Sequence, residues 1–173
     1  GLLGNNILSG STGRSAAGIV DLDYLNFVVP TGFVLRELRV GNLTATSGSS
    51  FIGMSAGASM PLTPAATSAV GLLGWKRFSA LDRNTNILDD MAVSGNGASG
   101  FSIPLPSGDY TLWIQDLSQG SYNYRLNLQI APVPEPSTYA SLLAGLGLVA
   151  YRLRRHKHLY WPFHTLPSHV YKY

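Results

Sequence analysis

Tyr122-Asn123-Tyr124-Arg125-Leu126-Asn127-Leu128-Gln129-Ile130 alternates apolar and polar side chains over nine residues. Successive side chains of an extended chain point to opposite faces, so the pattern predicts a β-strand that buries Tyr122, Tyr124, Leu126, Leu128 and Ile130 and wets Asn123, Arg125, Asn127 and Gln129. Working backward, Tyr110, Leu112 and Ile114 alternate with Thr111, Trp113 and Gln115, and Phe101, Ile103 and Leu105 alternate with Ser102 and Pro104. Pro106-Ser107-Gly108-Asp109 and Ser118-Gln119-Gly120-Ser121 supply the residues that turns require, which predicts a terminal antiparallel meander. Further upstream, Val20, Leu22, Tyr24 and Val28 share one face of a strand that ends at Pro30-Thr31-Gly32, with 33–40 as its hairpin partner. Segments 50–54 and 69–78 add two strands, while the Gly-, Ser- and Asn-rich 1–18 has no sustained period and reads as an irregular start or an edge strand. About seven short strands separated by turn signals describe a mainly β fold, an antiparallel β-sandwich or jelly roll over 19–131.

At Pro132 the alternation stops and a different pattern begins. Val133-Pro134-Glu135-Pro136-Ser137-Thr138-Tyr139 sets two prolines around a glutamate. Each proline fixes φ, lacks an amide donor and holds its predecessor extended, so an exposed strip is expected within a Pro-rich linker at 132–138. Ser137 or Thr138 can cap a helix, and Ala140, Leu142, Leu143, Ala144, Leu146, Leu148, Val149 and Ala150 leave that helix apolar all round. Such a helix needs lipid or a protein core around it. The single short hydrophobic helix expected at 139–151 measures roughly 20 Å against about 30 Å of bilayer hydrocarbon, too little to span comfortably. Arg152, Arg154, Arg155 and Lys157 follow at once. Cations flanking a membrane segment stay on the cytoplasmic side and snorkel, which describes a weak membrane anchor with a basic and aromatic tail, 152–173, inside and everything before Pro134 outside.

These parts, in this order, resemble the PEP-CTERM sorting signal of exported bacterial proteins: Val-Pro-Glu-Pro-Ser-Thr at 133–138, Leu-Leu-Ala-Gly-Leu-Gly-Leu at 142–148, then the arginines. The resemblance implies that Pro134, Glu135 and Pro136 are the recognition tripeptide, 140–150 the membrane segment and Arg152, Arg154 and Arg155 a membrane-retention cluster. It also implies a partner, exosortase, a membrane-embedded cysteine protease that processes the signal. Export, a transient inner-membrane anchor with the β domain outside, and then display at the cell surface or release would follow. The chain departs from the family pattern by continuing from His156 to Tyr173. A looser likeness, carried by Gly-Asp-Tyr-Thr-Leu-Trp-Ile-Gln at 108–115 and the tyrosine-rich strand after it, is to the pre-peptidase C-terminal type of β-sandwich, and it implies no activity.

The formal net charge is +3, yet this basicity sits in the tail. Before Pro132, Arg14, Arg36, Arg39, Lys76, Arg77, Arg83 and Arg125 face Asp21, Asp23, Glu37, Asp82, Asp89, Asp90, Asp109 and Asp116, a balance of −1. With charged residues only 12% of the chain, the clustered basic face that nucleic acid demands is missing. Cysteine is absent, which excludes disulfides and thiolate metal sites. The sequence opens on Gly1 without a charged n-region and apolar h-region, so a leader peptide is expected to have been removed or to lie outside it.

Chemistry is sparse. Gly53-Met54-Ser55-Ala56-Gly57 matches the Gly-x-Ser-x-Gly elbow, but all four histidines (His156, His158, His164, His169) lie beyond the hydrophobic segment and no helices of an α/β-hydrolase are present, so a small hydrolase on Ser55 or paired aspartates lacks its base. Gly145 to Ala150 imitates a dinucleotide fingerprint without opening a βαβ unit. Asp21 with Asp23, and Asp89-Asp90 in a loop, offer oxygens to Ca²⁺ but read more simply as strand-edge and turn carboxylates. His156-Lys157-His158 offers two imidazoles, although the unpatterned 159–173 reads as an interfacial or disordered extension. Asn42-Leu43-Thr44 is a glycosylation sequon by pattern only. Tyr110, Trp113 and Trp75 are the candidate ligand platform for sugar rings, with Trp113 on the polar, exposed face of its strand, and they raise a lectin-like alternative. The expectation is therefore a non-catalytic, exported structural or adhesive protein with no assigned cofactor or metal, whose partners are exosortase, the membrane and exopolysaccharide. A soluble protein that buries the 140–150 helix is the remaining alternative.

Overall fold

The computed structural model describes residues 4–41, 49–63, 68–93, 95–116, 120–134 and 136–157. The sequon at 42–44, Glu135 and the tail from 158 with three of the histidines lie outside them. The chain divides into two units, Gly1–Val133 and Pro134–Tyr173.

The first unit is built from strands β1 (Gly4–Arg14), β2 (Leu22–Val29), β3 (Phe33–Val40), β4 (Ser49–Ala56), β5 (Gly74–Ser79), β6 (Gly108–Asp116) and β7 (Gly120–Pro132), with a short helix α1 (Leu88–Ala92) after β5. They form two sheets, β1-β7-β3 and β2-β6-β4-β5, in which every pairing is antiparallel. Leu35, Leu38, Val40, Leu126, Leu128 and Ile130 of the first sheet and Ile52, Met54, Phe78, Leu112 and Ile114 of the second share one core. That shared core makes the unit a β-sandwich. β7 follows its alternation: Tyr124, Leu126, Leu128 and Ile130 are buried between the sheets, and Asn123 and Arg125 are exposed outside. In β3 a bulge between Leu35 and Glu37 shifts the phase, so Leu35, Leu38 and Val40 all face inward.

Several local expectations change. Of the two readings of 1–18, the edge strand holds for Gly4–Arg14, which is β1 and pairs with β7 from end to end. Its polar sequence fits because Gly10 gives room to Tyr124, whose ring lies where a Cβ at position 10 would sit. The Tyr124 hydroxyl then crosses to the other sheet and donates to Asp23 Oδ2 at 2.7 Å. Residues 101–105 are not a strand. Pro104 and Pro106 lack ladder donors, and only Leu105 bonds a strand, exchanging two hydrogen bonds of 2.9 Å with Leu35 beside the bulge. There is no terminal meander and no β2–β3 hairpin, because β6 and β7, like β2 and β3, belong to different sheets. In β2 the buried phase is the other one: Val29 is buried, Leu25 and Phe27 pack on the core, and Tyr24 (44% exposed) and Val28 point out. Asp89 and Asp90 open α1 instead of lying in a loop.

The second unit contains helix α2 (Pro136–Lys157), longer at both ends than the expected 139–151. Pro136 takes the first helical position, where its missing N–H costs nothing. Ser137 and Thr138 consequently fall inside the first turn and do not precede it.

Candidate functional site

The sorting segment begins where the ladder ends. β7 stops at Pro132, Val133 N–H still reaches the Gly32 carbonyl at 2.8 Å, and Pro134 is exposed. Along α2, Tyr139, Leu142, Leu143, Leu146, Leu148, Val149, Tyr151 and Leu153 are all exposed, Leu143 by 69%. Exposed apolar groups on every side of a helix are stable only in an apolar surrounding. The apolar stretch ends at Tyr151, and no helix among the described residues is long and apolar enough to cross a membrane. Arg152, Arg154 and Arg155 are exposed in the last turns, where cations also complement the C-terminal end of the helix dipole.

The expected ligand platform is rearranged. Tyr110 and Trp113 lie on opposite faces of β6. Tyr110 is in the core, 6% exposed, stacked on Phe27 with ring centroids 5.5 Å apart and donating to the Pro106 carbonyl at 2.9 Å. Burial pushes its phenol pKa up. Trp113 faces outward as expected but is only 3% exposed. On the same outer face of the four-stranded sheet, the loop residues Ala69, Leu72 and Ala98 form a second, smaller core with Phe51, Leu62 and Trp75, and Phe51 packs edge-on to Trp113.

Register explains how these rings meet. Phe51 pairs with Arg77 on one side and Gln115 on the other, and Gly53 pairs with Trp75 and Trp113. The two rows share one face, two residues apart along each strand. Trp75 and Trp113 flank Gly53, a position where a Cβ would press on Leu72 and the Phe51 ring at 3.1 Å. Phe51 therefore leans between them, 6.0 Å from Trp75 and 5.0 Å from Trp113 by ring centroids. Trp75 Nε1 donates to the Gly95 carbonyl at 3.1 Å, which fixes its ring. Over this cluster opens a pocket of about 360 Å³, lined by Phe51, Trp75, Arg77, Trp113 and Gln115 together with loop residues such as Asn96. Sequence reading picked out Trp75 and Trp113 but missed Phe51, Arg77 and Gln115. Their only local signal is the i, i+2 spacing within each strand.

The other candidates resolve into structural roles. Ser55 is fully buried in β4 and its hydroxyl donates to the Ser59 carbonyl at 3.1 Å. Asp23 accepts from Tyr124, whose pKa is raised by burial and by that carboxylate. Lys76, on the inner face at the sheet edge, reaches Asp90 at 2.7 Å and Asp82 at 3.4 Å, and its pKa is raised chiefly by the bond to Asp90. Among the described residues no three His, Cys, Asp or Glu side chains gather as a metal site.

With this geometry in view, the PEP-CTERM protein-sorting motif is matched at residues 132–156. The match starts at the last residue of β7 and runs through the arginines of α2. No curated protein and no solved structure matches the chain, so the looser likeness of the β unit to pre-peptidase C-terminal sandwiches gains no relative.

Proposed function

We propose that the chain is an exported bacterial envelope protein. Its β unit is a non-catalytic structural or adhesive ectodomain associated with exopolysaccharide, and exosortase acts at the Pro134-Glu135-Pro136 strip. The coarser part of this reading stands on the motif itself: a C-terminal sorting signal of this type belongs to a secreted protein, and it implies exosortase processing and a transient membrane anchor. The observation that carries the reading is the coincidence of that match with a helix whose apolar side chains are exposed on every side. Arg152, Arg154 and Arg155 hold the helix end at the cytoplasmic surface, and snorkelling compensates for its short apolar stretch. The β unit lies outside. A non-catalytic role is supported by the lack of any histidine before position 156 and by the enclosure of Ser55.

The test is a double substitution, Pro134→Ala with Pro136→Ala, expressed in an exosortase-bearing host. The expected result is full-length chain retained in the membrane fraction and lost from the surface and medium. Unchanged release would contradict the role of the strip. The pocket over Phe51, Trp75 and Trp113 favours a second reading of the ectodomain, a carbohydrate-binding module.

A further inference from the structure

We infer that the pocket on the outer face of the β2-β6-β4-β5 sheet binds a carboxylated pyranose, a uronate-type residue of an acidic polysaccharide. The inference rests on the carbohydrate-binding reading of the β unit and is independent of how the chain is sorted.

Two polar side chains without a partner among the described residues, Arg77 and Gln115, line the pocket beside Trp113. Trp113 Nε1 is buried and has no hydrogen-bond partner among the described residues. That nitrogen is sealed from solvent, so Trp113 contributes its ring to the wall of the pocket and no donor to a guest. The Arg77 guanidinium and the Gln115 amide also line the pocket, and neither has a hydrogen bond or ion pair within the described residues. Asp82 and Asp90 are engaged by Lys76 on the inner face, and among the described residues Arg77 has no ion pair. A guanidinium matches a carboxylate through two parallel hydrogen bonds. The aromatic part of the lining has Phe51 and Trp75 nearly parallel at 22°, beside aliphatic Leu62, Ala69 and Leu72 and polar Ser68 and Asn96.

Each class of ligand can be held against that inventory. A purely apolar guest would make no use of the exposed Arg77 cation, and a simple anion would leave the aromatic faces empty. A pyranose meets both demands, because its C–H face packs on an aromatic ring while its hydroxyl and ring oxygens bond the Gln115 amide. A carboxylate on the ring then reaches Arg77. At about 360 Å³ the pocket sits at the small end of ligand sites, enough for one sugar residue with its neighbours projecting into solvent.

The experiment is isothermal titration calorimetry of the full chain in a detergent without sugar headgroups. The probes are a galacturonate trimer and the neutral galactose trimer of the same linkage. The expected result is binding of the galacturonate trimer that weakens with salt, with the neutral trimer bound about tenfold more weakly, the size of one lost charged hydrogen bond. Arg77→Gln is expected to bring the two trimers to the same affinity, Trp75→Ala to abolish binding of both, and Arg36→Gln, on the other sheet, to change neither. Equal binding of both trimers by the unsubstituted chain, insensitive to Arg77→Gln, would overturn the acidic class. No binding of either trimer while Trp75→Ala and the parent give the same circular dichroism would overturn the site altogether. Adhesion of the β unit to whole-cell polymer, measured separately, distinguishes that failure from failure of the adhesive reading.

Discussion

The two units of this chain treat apolar side chains in opposite ways. In the β unit, leucines and isoleucines such as Leu35, Ile52, Leu112 and Leu126 are fully buried, and their stabilisation comes from within the protein. In α2, Leu142, Leu143, Leu146 and Leu148 are all more than half exposed. Chemistry is the same in both, since removing apolar area from water is favourable in either place. What differs is the partner: a second sheet for one, and for the other a lipid or a membrane enzyme. The β unit is built to persist and the helix to be handled.

The largest break in this contrast is removal of α2. A chain ending at Val133 is expected to keep the melting temperature of the β unit, because the core residues lie between Leu8 and Ile130, while membrane association and sorting are lost entirely. Calorimetry and cell fractionation check the two halves. Next comes a matched pair of leucines. Leu112→Ala should cost the β unit about 2–5 kcal/mol through lost burial and the cavity left behind, whereas Leu146→Ala should leave its unfolding unchanged and weaken only membrane retention. Equal destabilisation by both in urea titrations would mean that α2 is part of the core.

A smaller effect sharpens the account of the sandwich itself. Tyr124→Phe removes the inter-sheet bond to Asp23 and should cost about 2 kcal/mol, the range for a hydrogen bond to a charged group. Because the folded pKa of Tyr124 lies above its unfolded value, this contribution is complete below the unfolded tyrosine pKa of about 10 and declines as the pH rises through the folded value. The parent should therefore lose stability at alkaline pH faster than Tyr124→Phe does, in denaturant titrations carried out from neutral pH upward.

The C-terminal signal was legible because it is contiguous: prolines, apolar run and arginines follow one another, and each acts through its immediate neighbours. β7 was legible for the same reason, since one wet face and one dry face fix its phase. β2 was not, because both of its faces carry apolar residues, and the hydrogen bond that meets Asp23 on the inward phase comes from a tyrosine about one hundred positions away. In β1 the sequence leaves an irregular start and an edge strand open, because its reason for being extended is the strand it pairs with, including the glycine that makes room for Tyr124. Trp113 lies on the expected face but is buried, since the groups around it, such as Phe51, lie elsewhere in the sequence. The pocket joins side chains from three strands through register, and register is a non-local quantity.

The most direct test of the central claim is the intact mass of the protein recovered from the surface and medium of its native host, with and without a functional exosortase. The account predicts loss of mass C-terminal to the Pro134-Glu135-Pro136 region only when the enzyme is present. A full-length, soluble chain in both strains would contradict it, because the exposed helix would then need a partner inside the fold.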